Sequence, residues 1–340
     1  MQKSLKVRTL VVATLLGLSS LGSLQAQAQA RLQPDPKTAN YQATGEQEKS
    51  YLFPGSTESI SYHIYVPKKW DQNTKMPLVI LTHGASQPSN APFQRPMQDP
   101  TLAKMAEERS YIVAAVTGYH ANATGVGGWN VPYPMVQVPR EPRPAPAAGA
   151  PGGAAPGGGP GIAGIPAGAG APGGAPAAAP GGGAPAGAAR AAPPPQPTTD
   201  DFVRSEQDIL IVRNLMLEEY NADPDRVYLM GNSSGGSAVW NVGVKYPQLW
   251  NAISPSAAPL EDANFPYENL KNLPVLVVHG DMDTTMLFDA SKVMVDHAKA
   301  KGVEAIWLPV TGGAHTDAWA QTEILKQTFD FFDTHKTRQK

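Results

Sequence analysis

Apolar residues along this chain fall into two rhythms that alternate with each other. Ser59–Val66 (SISYHIYV) switches between polar and apolar positions and is rich in β-branched and aromatic residues, which predicts a half-buried strand. Pro77–Thr82 (PLVILT) and Tyr111–Val116 (YIVAAV) are continuous apolar runs, as expected of strands buried on both faces of a parallel sheet. Arg226–Met230, Ala252–Ser254, Val275–Val278 and Ala305–Leu308 add four more strand candidates. Between them lie helical patterns at Thr101–Arg109, Phe202–Tyr220, Ser234–Tyr246, Ala290–Lys301 and Thr316–His335. In Phe202–Tyr220, for example, Val212, Leu215 and Met216 share one face while Arg213, Glu218 and Glu219 occupy another. Strands alternating with helices predict an α/β fold, a mainly parallel central sheet covered by helices on both faces.

Two segments stand outside this pattern. Residues 144–197 hold 14 Pro, 16 Gly and 20 Ala, leaving four other side chains in 54 positions. Such a stretch has almost nothing to bury against the entropy of ordering, and frequent proline blocks helix and sheet alike. It is expected to be a disordered, partly extended insert. Because it follows the strand ending at Val116, it should emerge on the face where the sheet's carboxyl ends bind ligands. The second segment is residues 1–30. Lys3, Lys6 and Arg8 precede an apolar run of 12 residues, Leu10–Leu21, and Ala26-Gln27-Ala28-Gln29-Ala30 supplies small residues for cleavage after Ala28 or Ala30. These are the parts of a signal peptide, and the apolar run is short of the roughly 20 residues that span a bilayer. An exported protein, periplasmic or extracellular, with no integral membrane segment after cleavage is the expectation. The remaining 256 residues fit one catalytic-sized domain within 31–340, interrupted by the insert.

Charge and cysteine content narrow the functional classes. With 27 basic and 29 acidic residues the chain has a formal charge of −2, unlike the basic excess of a nucleic-acid binder. No cysteine is present, so thiol nucleophiles, thiolate metal sites and disulfides are all excluded.

The chemistry concentrates after the predicted strands. Gly231-Asn232-Ser233-Ser234-Gly235 fits G-x-S-x-G between a strand and a helix, where a sharp turn exposes a serine and requires small neighbours. Ser233 is the candidate nucleophile and Ser234 its rival within the motif. A serine hydroxyl needs a base, and the base needs an orienting carboxylate. Asp283, with Asp281 as the alternative, follows the strand Val275–Val278; His315 lies on the glycine-rich loop after Ala305–Leu308. The order Ser, Asp, His is that of α/β-hydrolases. The backbone N–H groups of Ser234 and of Ala85, after His83-Gly84, are candidate oxyanion donors. His83 and His279 read as structural, and His63, His297 and His335 as strand or surface histidines. Tyr119, His120 and Trp129, on the loop Gly118–Asn130, are candidate substrate-binding residues, and Tyr133 and Trp319 add further aromatic surface.

The run from Tyr220 to Gly236, YNADPDRVYLMGNSSGG, together with His83-Gly84, His279-Gly280-Asp281-Met282-Asp283 and His315, resembles the polyhydroxybutyrate depolymerase and feruloyl/acetylxylan esterase branch of the α/β-hydrolases. The resemblance covers essentially the whole domain. It implies a secreted serine carboxylesterase with Ser233 as nucleophile, His315 as base and Asp283 as acid, acting without cofactor or metal on a small or polymeric ester. A peptidase of the same fold and a non-catalytic polymer- or carbohydrate-binding protein on the same scaffold are the alternatives.

Overall fold

The computed structural model describes residues 42–84, 100–119, 129, 131–139, 198–317 and 321–336. The signal-like segment and the Gly/Ala/Pro-rich segment therefore lie outside the described residues, as do Ala85, His120 and Trp319. Eight strands form one sheet: β1 (Gly45–Leu52), β2 (Ser59–Val66), β3 (Leu78–Thr82), β4 (Ile112–Val116), β5 (Val227–Asn232), β6 (Ala252–Ser256), β7 (Val275–Gly280) and β8 (Ala305–Val310). Their spatial order is β1-β2-β4-β3-β5-β6-β7-β8. β1 with β2 and β2 with β4 are antiparallel; every other neighbouring pair is parallel.

The continuous apolar runs are explained by two cores on opposite faces. Leu78 and Ile80 of β3 point into one, with Val212 and Leu215 of α2 (Thr199–Glu219), Val239 and Trp240 of α3 (Ser234–Lys245), and Met294 and Val295 of α4 (Phe288–Ala300). Val79 and Leu81 point into the other, against Leu102 and Met105 of α1 (Pro100–Arg109) and Phe329 and Phe332 of α5 (Thr322–Thr334). Since successive strand residues face opposite sides, a strand covered by helices on both has no polar position to offer. Each fully buried large side chain contributes about 1.5–3 kcal/mol relative to exposure.

β1 is a strand that the hydrophobic pattern does not announce. Its sequence, GEQEKSYL, is mostly polar because it closes the sheet's edge with one neighbour, and only Lys49 and Tyr51 are buried. Lys49 reaches Glu219 at 3.5 Å and lies over the Tyr220 ring, so its burial depends on α2. Burial pushes the Lys49 ammonium below its ordinary pKa, and Glu219 opposes that shift. At the opposite edge, Pro309 is accepted within β8 because that strand also has a single neighbour.

Helix boundaries move where caps decide them. α2 begins at Thr199, three residues before the apolar periodicity starts, because Thr198 and Asp201 form a capping box: the Thr198 side chain accepts from the Asp201 N–H, and the Asp201 carboxylate accepts from the Thr198 N–H at 2.7 Å. The last helix spans Thr322–Thr334, and His315 and Thr316 lie in a turn ahead of it.

Replacement of Thr198 by alanine is expected to cost about 1 kcal/mol, and Phe329→Ala about 3–5 kcal/mol. Both are read as lower urea midpoints at unchanged denaturant slope; an indifferent Thr198→Ala would mean that the capping box does not hold the start of α2.

Candidate active site

The chain reverses its direction of travel across the sheet at β3: β4 lies on one side of it and β5 on the other. Ligands of open α/β sheets bind in the crevice outside the carboxyl ends of such a strand pair. Gly84, just beyond β3, and Ser233, just beyond β5, meet there; a Cβ at Gly84 would sit 3.3 Å from the Ser233 Cβ.

Ser233 occupies the apex between β5 and α3 with φ 57° and ψ −127°, a left-handed region that ordinary residues avoid. Packing around it holds that conformation. A Cβ at Gly231 would lie 2.1 Å from Thr82 Oγ1, and one at Gly235 only 2.4 Å from the Thr82 carbonyl oxygen. The Ser233 N–H donates to Ser256 O at 2.9 Å, and Ser237 N–H donates to Ser233 O at 3.0 Å, fastening the turn to β6 and α3.

The Ser233 hydroxyl donates to His315 Nε2 at 3.0 Å, and His315 Nδ1–H donates to Asp283 Oδ2 at 2.7 Å. The carboxylate can only accept, which assigns the His315 proton to Nδ1 and leaves Nε2 able to take one from Ser233. Asp283 sits on the loop after β7 with its side chain fully buried. Its Oδ1 accepts from the N–H groups of Thr285 and Met286 at 2.7 and 2.9 Å. Burial would raise its pKa, but hydrogen bonds from His279, His315 and the Met286 amide overcome that and hold it well below the usual carboxylate range.

The alternative acid has a different task. Asp281 Oδ1 accepts from Gly312 N–H at 2.7 Å, while Asp281 N–H donates to Val310 O and Met282 N–H to Gly313 O. These bonds pin the loop of His315 against the loop of Asp283. Asn232 Nδ2 adds a long contact to His315 O at 3.4 Å. Ser234 Oγ, the rival hydroxyl, has no hydrogen-bond partner among the described residues. As the first residue of α3, Ser234 carries an N–H with no acceptor within its own helix, the condition an oxyanion donor needs. Ala85, the second candidate donor, lies outside the described residues.

His83 is buried beneath this point, with Nδ1 2.8 Å from Gly84 O and Nε2 2.8 Å from Thr117 O. Burial lowers its pKa, and the two carbonyl contacts oppose the shift. Trp129 Nε1–H donates to His83 O at 3.0 Å, and the two rings lie 5.1 Å apart. Tyr119 packs edge-on against Phe53, its hydroxyl accepting from Arg204. Both aromatic residues proposed for the substrate pocket thus belong to the core, with their polar atoms already engaged by the protein. His120 lies outside the described residues. Tyr133 packs on Phe265. His63 sits in β2, His297 contacts Asp262, and His335 contacts Glu304.

Two features escape the sequence pattern. The first is the segment 131–139, which has no regular element yet crosses the loops after β6 and β7. Val136 N–H donates to Pro259 O at 2.8 Å, Leu287 N–H to Val136 O at 3.0 Å, and Val138 N–H to Thr285 O at 3.0 Å. It stitches the loop after β6 to the loop of Asp283 and ends, at Pro139, on that side of the sheet. The second is His279, whose Nε2 lies 2.9 Å from the same Asp283 oxygen that binds His315.

No family model matches the chain. It is 24% identical over 144 residues to a protein of Acanthamoeba polyphaga mimivirus that is named as an alpha/beta hydrolase; the match takes in 37% of this chain and 53% of that protein, so the chain spans about half the length of this curated relative. Among solved structures, a thermostable esterase aligns with 86% of this chain and 63% of its own at a TM-score of 0.51 and 15% identity. A ferulic acid esterase aligns with 85% of this chain and 98% of its own at a TM-score of 0.52 and 14% identity. The fold is that of the α/β-hydrolases, with a mostly parallel sheet of eight strands between two helical layers.

The depressed pKa of Asp283 makes a pH-dependent stability contribution with a definite sign. Its folded-state value lies below the unfolded value of about 3.9, so the unfolded chain binds more protons between the two and stability rises with pH there. The stabilisation is complete above about pH 4 and is lost as pH falls towards the folded value. Asp283→Asn should therefore lose more stability, relative to the parent, at pH 6 than at pH 2.5; equal losses in urea midpoints at both would contradict the assignment.

Proposed function

We propose that the protein is an exported serine carboxylesterase that works through Ser233, His315 and Asp283. The observation that carries this reading is the continuous hydrogen-bond chain from the Ser233 hydroxyl through the His315 ring to the buried Asp283 carboxylate. Its location at the carboxyl ends of β5, β7 and β8, on an α/β-hydrolase fold, supports it further.

In this mechanism Ser233 Oγ attacks the ester carbonyl as His315 Nε2 accepts its proton. The imidazolium is stabilised by Asp283, which stays ionised. The tetrahedral oxyanion receives hydrogen bonds from the backbone N–H of Ser234 and of Ala85. Collapse breaks the bond to the alcohol, which leaves with the proton from His315. Water then loses a proton to His315, attacks the acyl-enzyme, and releases the carboxylic acid and the restored serine. These residues complete the cycle with no cofactor or metal. The substrate class is a polyhydroxyalkanoate-type polyester or a feruloyl or acetyl ester of a plant polysaccharide. The export reading rests on the basic residues, apolar run and small residues of 1–30.

Ser233→Ala is expected to abolish fluorophosphonate labelling and to lower kcat on short aryl esters by several orders of magnitude. Wild-type activity in that variant would sink the reading. Asp283→Asn should reduce kcat by about 10⁴, and Asp281→Asn, which perturbs only the loop clamp, far less. A panel of hydroxybutyrate, feruloyl and acetyl-sugar esters beside peptide anilides measures the substrate class; faster turnover of the anilides would assign a peptidase instead.

A further inference from the structure

His279 is the penultimate residue of β7 and is wholly buried. Its Nε2 lies 2.9 Å from Asp283 Oδ2 and its Nδ1 2.7 Å from Ser291 Oγ, on the first turns of α4. The Phe288 ring stands edge-on to it at 5.6 Å. Asp283 Oδ2 therefore receives two imidazole N–H groups, from His315 and from His279, while Oδ1 receives two backbone amides.

The proton positions follow from the partners. An ionised Asp283 can only accept, so His279 must carry its proton on Nε2. In the neutral ring Nδ1 is then a bare acceptor, and the Ser291 hydroxyl is the donor that satisfies it. The opposite tautomer would set the Nε2 lone pair against the carboxylate oxygen, and complete burial of both side chains keeps water from mediating between them. Carboxyl torsions are broad and nearly two-fold, so amides on Oδ1 alone leave the plane of Oδ2 loosely set. The His279 donor fixes that plane in line with His315.

We propose that His279 is a positioning residue for hydrolysis: with its tautomer set by Ser291, it orients the Asp283 carboxylate that in turn orients His315. The site is then a relay of five side chains, Ser291, His279, Asp283, His315 and Ser233. This role rests on the hydrolase reading above and deepens it, because His279 touches neither substrate nor reacting atoms.

The test compares three variants of the full-length protein. His279→Phe removes the donor and should lower kcat on a short aryl ester by about 10–100-fold with KM within about two-fold, a fraction of the loss from removing the acid itself. His279→Gln can place an amide N–H near the same oxygen and should recover kcat to within about five-fold of the parent. Ser291→Ala releases the tautomer and should fall between the two. Should His279→Phe fail to fold, the other two variants carry the comparison. Nitrogen-detected NMR of the histidine rings gives a readout that needs no activity: the Nε2–H tautomer at His279 is expected, and Nδ1–H there would overturn the proposal. It is equally overturned if His279→Gln behaves as His279→Phe does, or if both lower only the melting temperature while kcat stays at the parent value. An inactive Ser233→Ala beside unaffected His279 and Ser291 variants would reject this role alone. An active Ser233→Ala would reject the hydrolase reading and the role together, whatever tautomer NMR finds.

Discussion

Gly235 has no side chain, and the first turn of α3 can therefore press against the carbonyls of Thr82 and His83 at the end of β3. That contact shapes the turn that carries Ser233. Beside it, in the tight turn after β5, Ser233 takes a left-handed backbone conformation and its hydroxyl reaches His315. β3 and β5 pair in parallel, and the crevice where Gly84 meets Ser233 lies where the chain's path through the sheet reverses. A strained residue persists only when its surroundings over-determine it. Here the surroundings are the carbonyls of Thr82 and His83 and the Thr82 hydroxyl.

The second organising element is electrostatic. Asp283 is a carboxylate buried from water, a costly arrangement unless its oxygens are fully hydrogen-bonded. Four donors meet that requirement, two amides from its own loop and two imidazoles from β7 and the His315 loop. Asp281 and the segment 131–139 hold the loops that carry Asp283 and His315. The His315 ring is therefore held by a frame reaching from β6 across the carboxyl ends of the strands to β8.

Much of this was legible in the residues. The buried strands β3 and β4, the alternating β2 and the amphipathic helices declared themselves through periodicity, and Ser233, Asp283 and His315 through their places after strands. The run from Asn221 to Arg226 within the family-like motif has a structural role: Arg226 pairs with Asp223 at 2.7 Å and joins α2 to β5. What stayed hidden shares a cause. β1 is polar because it lies at an edge, Lys49 is buried only because Glu219 and Tyr220 reach it, and the 131–139 segment forms backbone bonds to residues more than a hundred positions away. Side-chain pattern does not encode partners of that kind. Tyr119 and Trp129 are likewise placed by distant partners, Arg204 and the His83 carbonyl, that local spacing does not encode.

The sequence by itself determined the chemistry available and the order in which it is strung: a serine in a glycine-framed turn, two competing aspartates, a histidine on a late loop, and strands apolar enough to be covered on both sides. Local spacing suffices for that, because turns, caps and periodicity are short-range physics. Only the tertiary structure decided which aspartate reaches His315, that the other clamps the loops, and that His279 shares an Asp283 oxygen with His315. Asp281 and Asp283 are two residues apart and chemically identical. What separates their roles is the direction each side chain takes from a loop whose shape is set by the strands and loops packed around it.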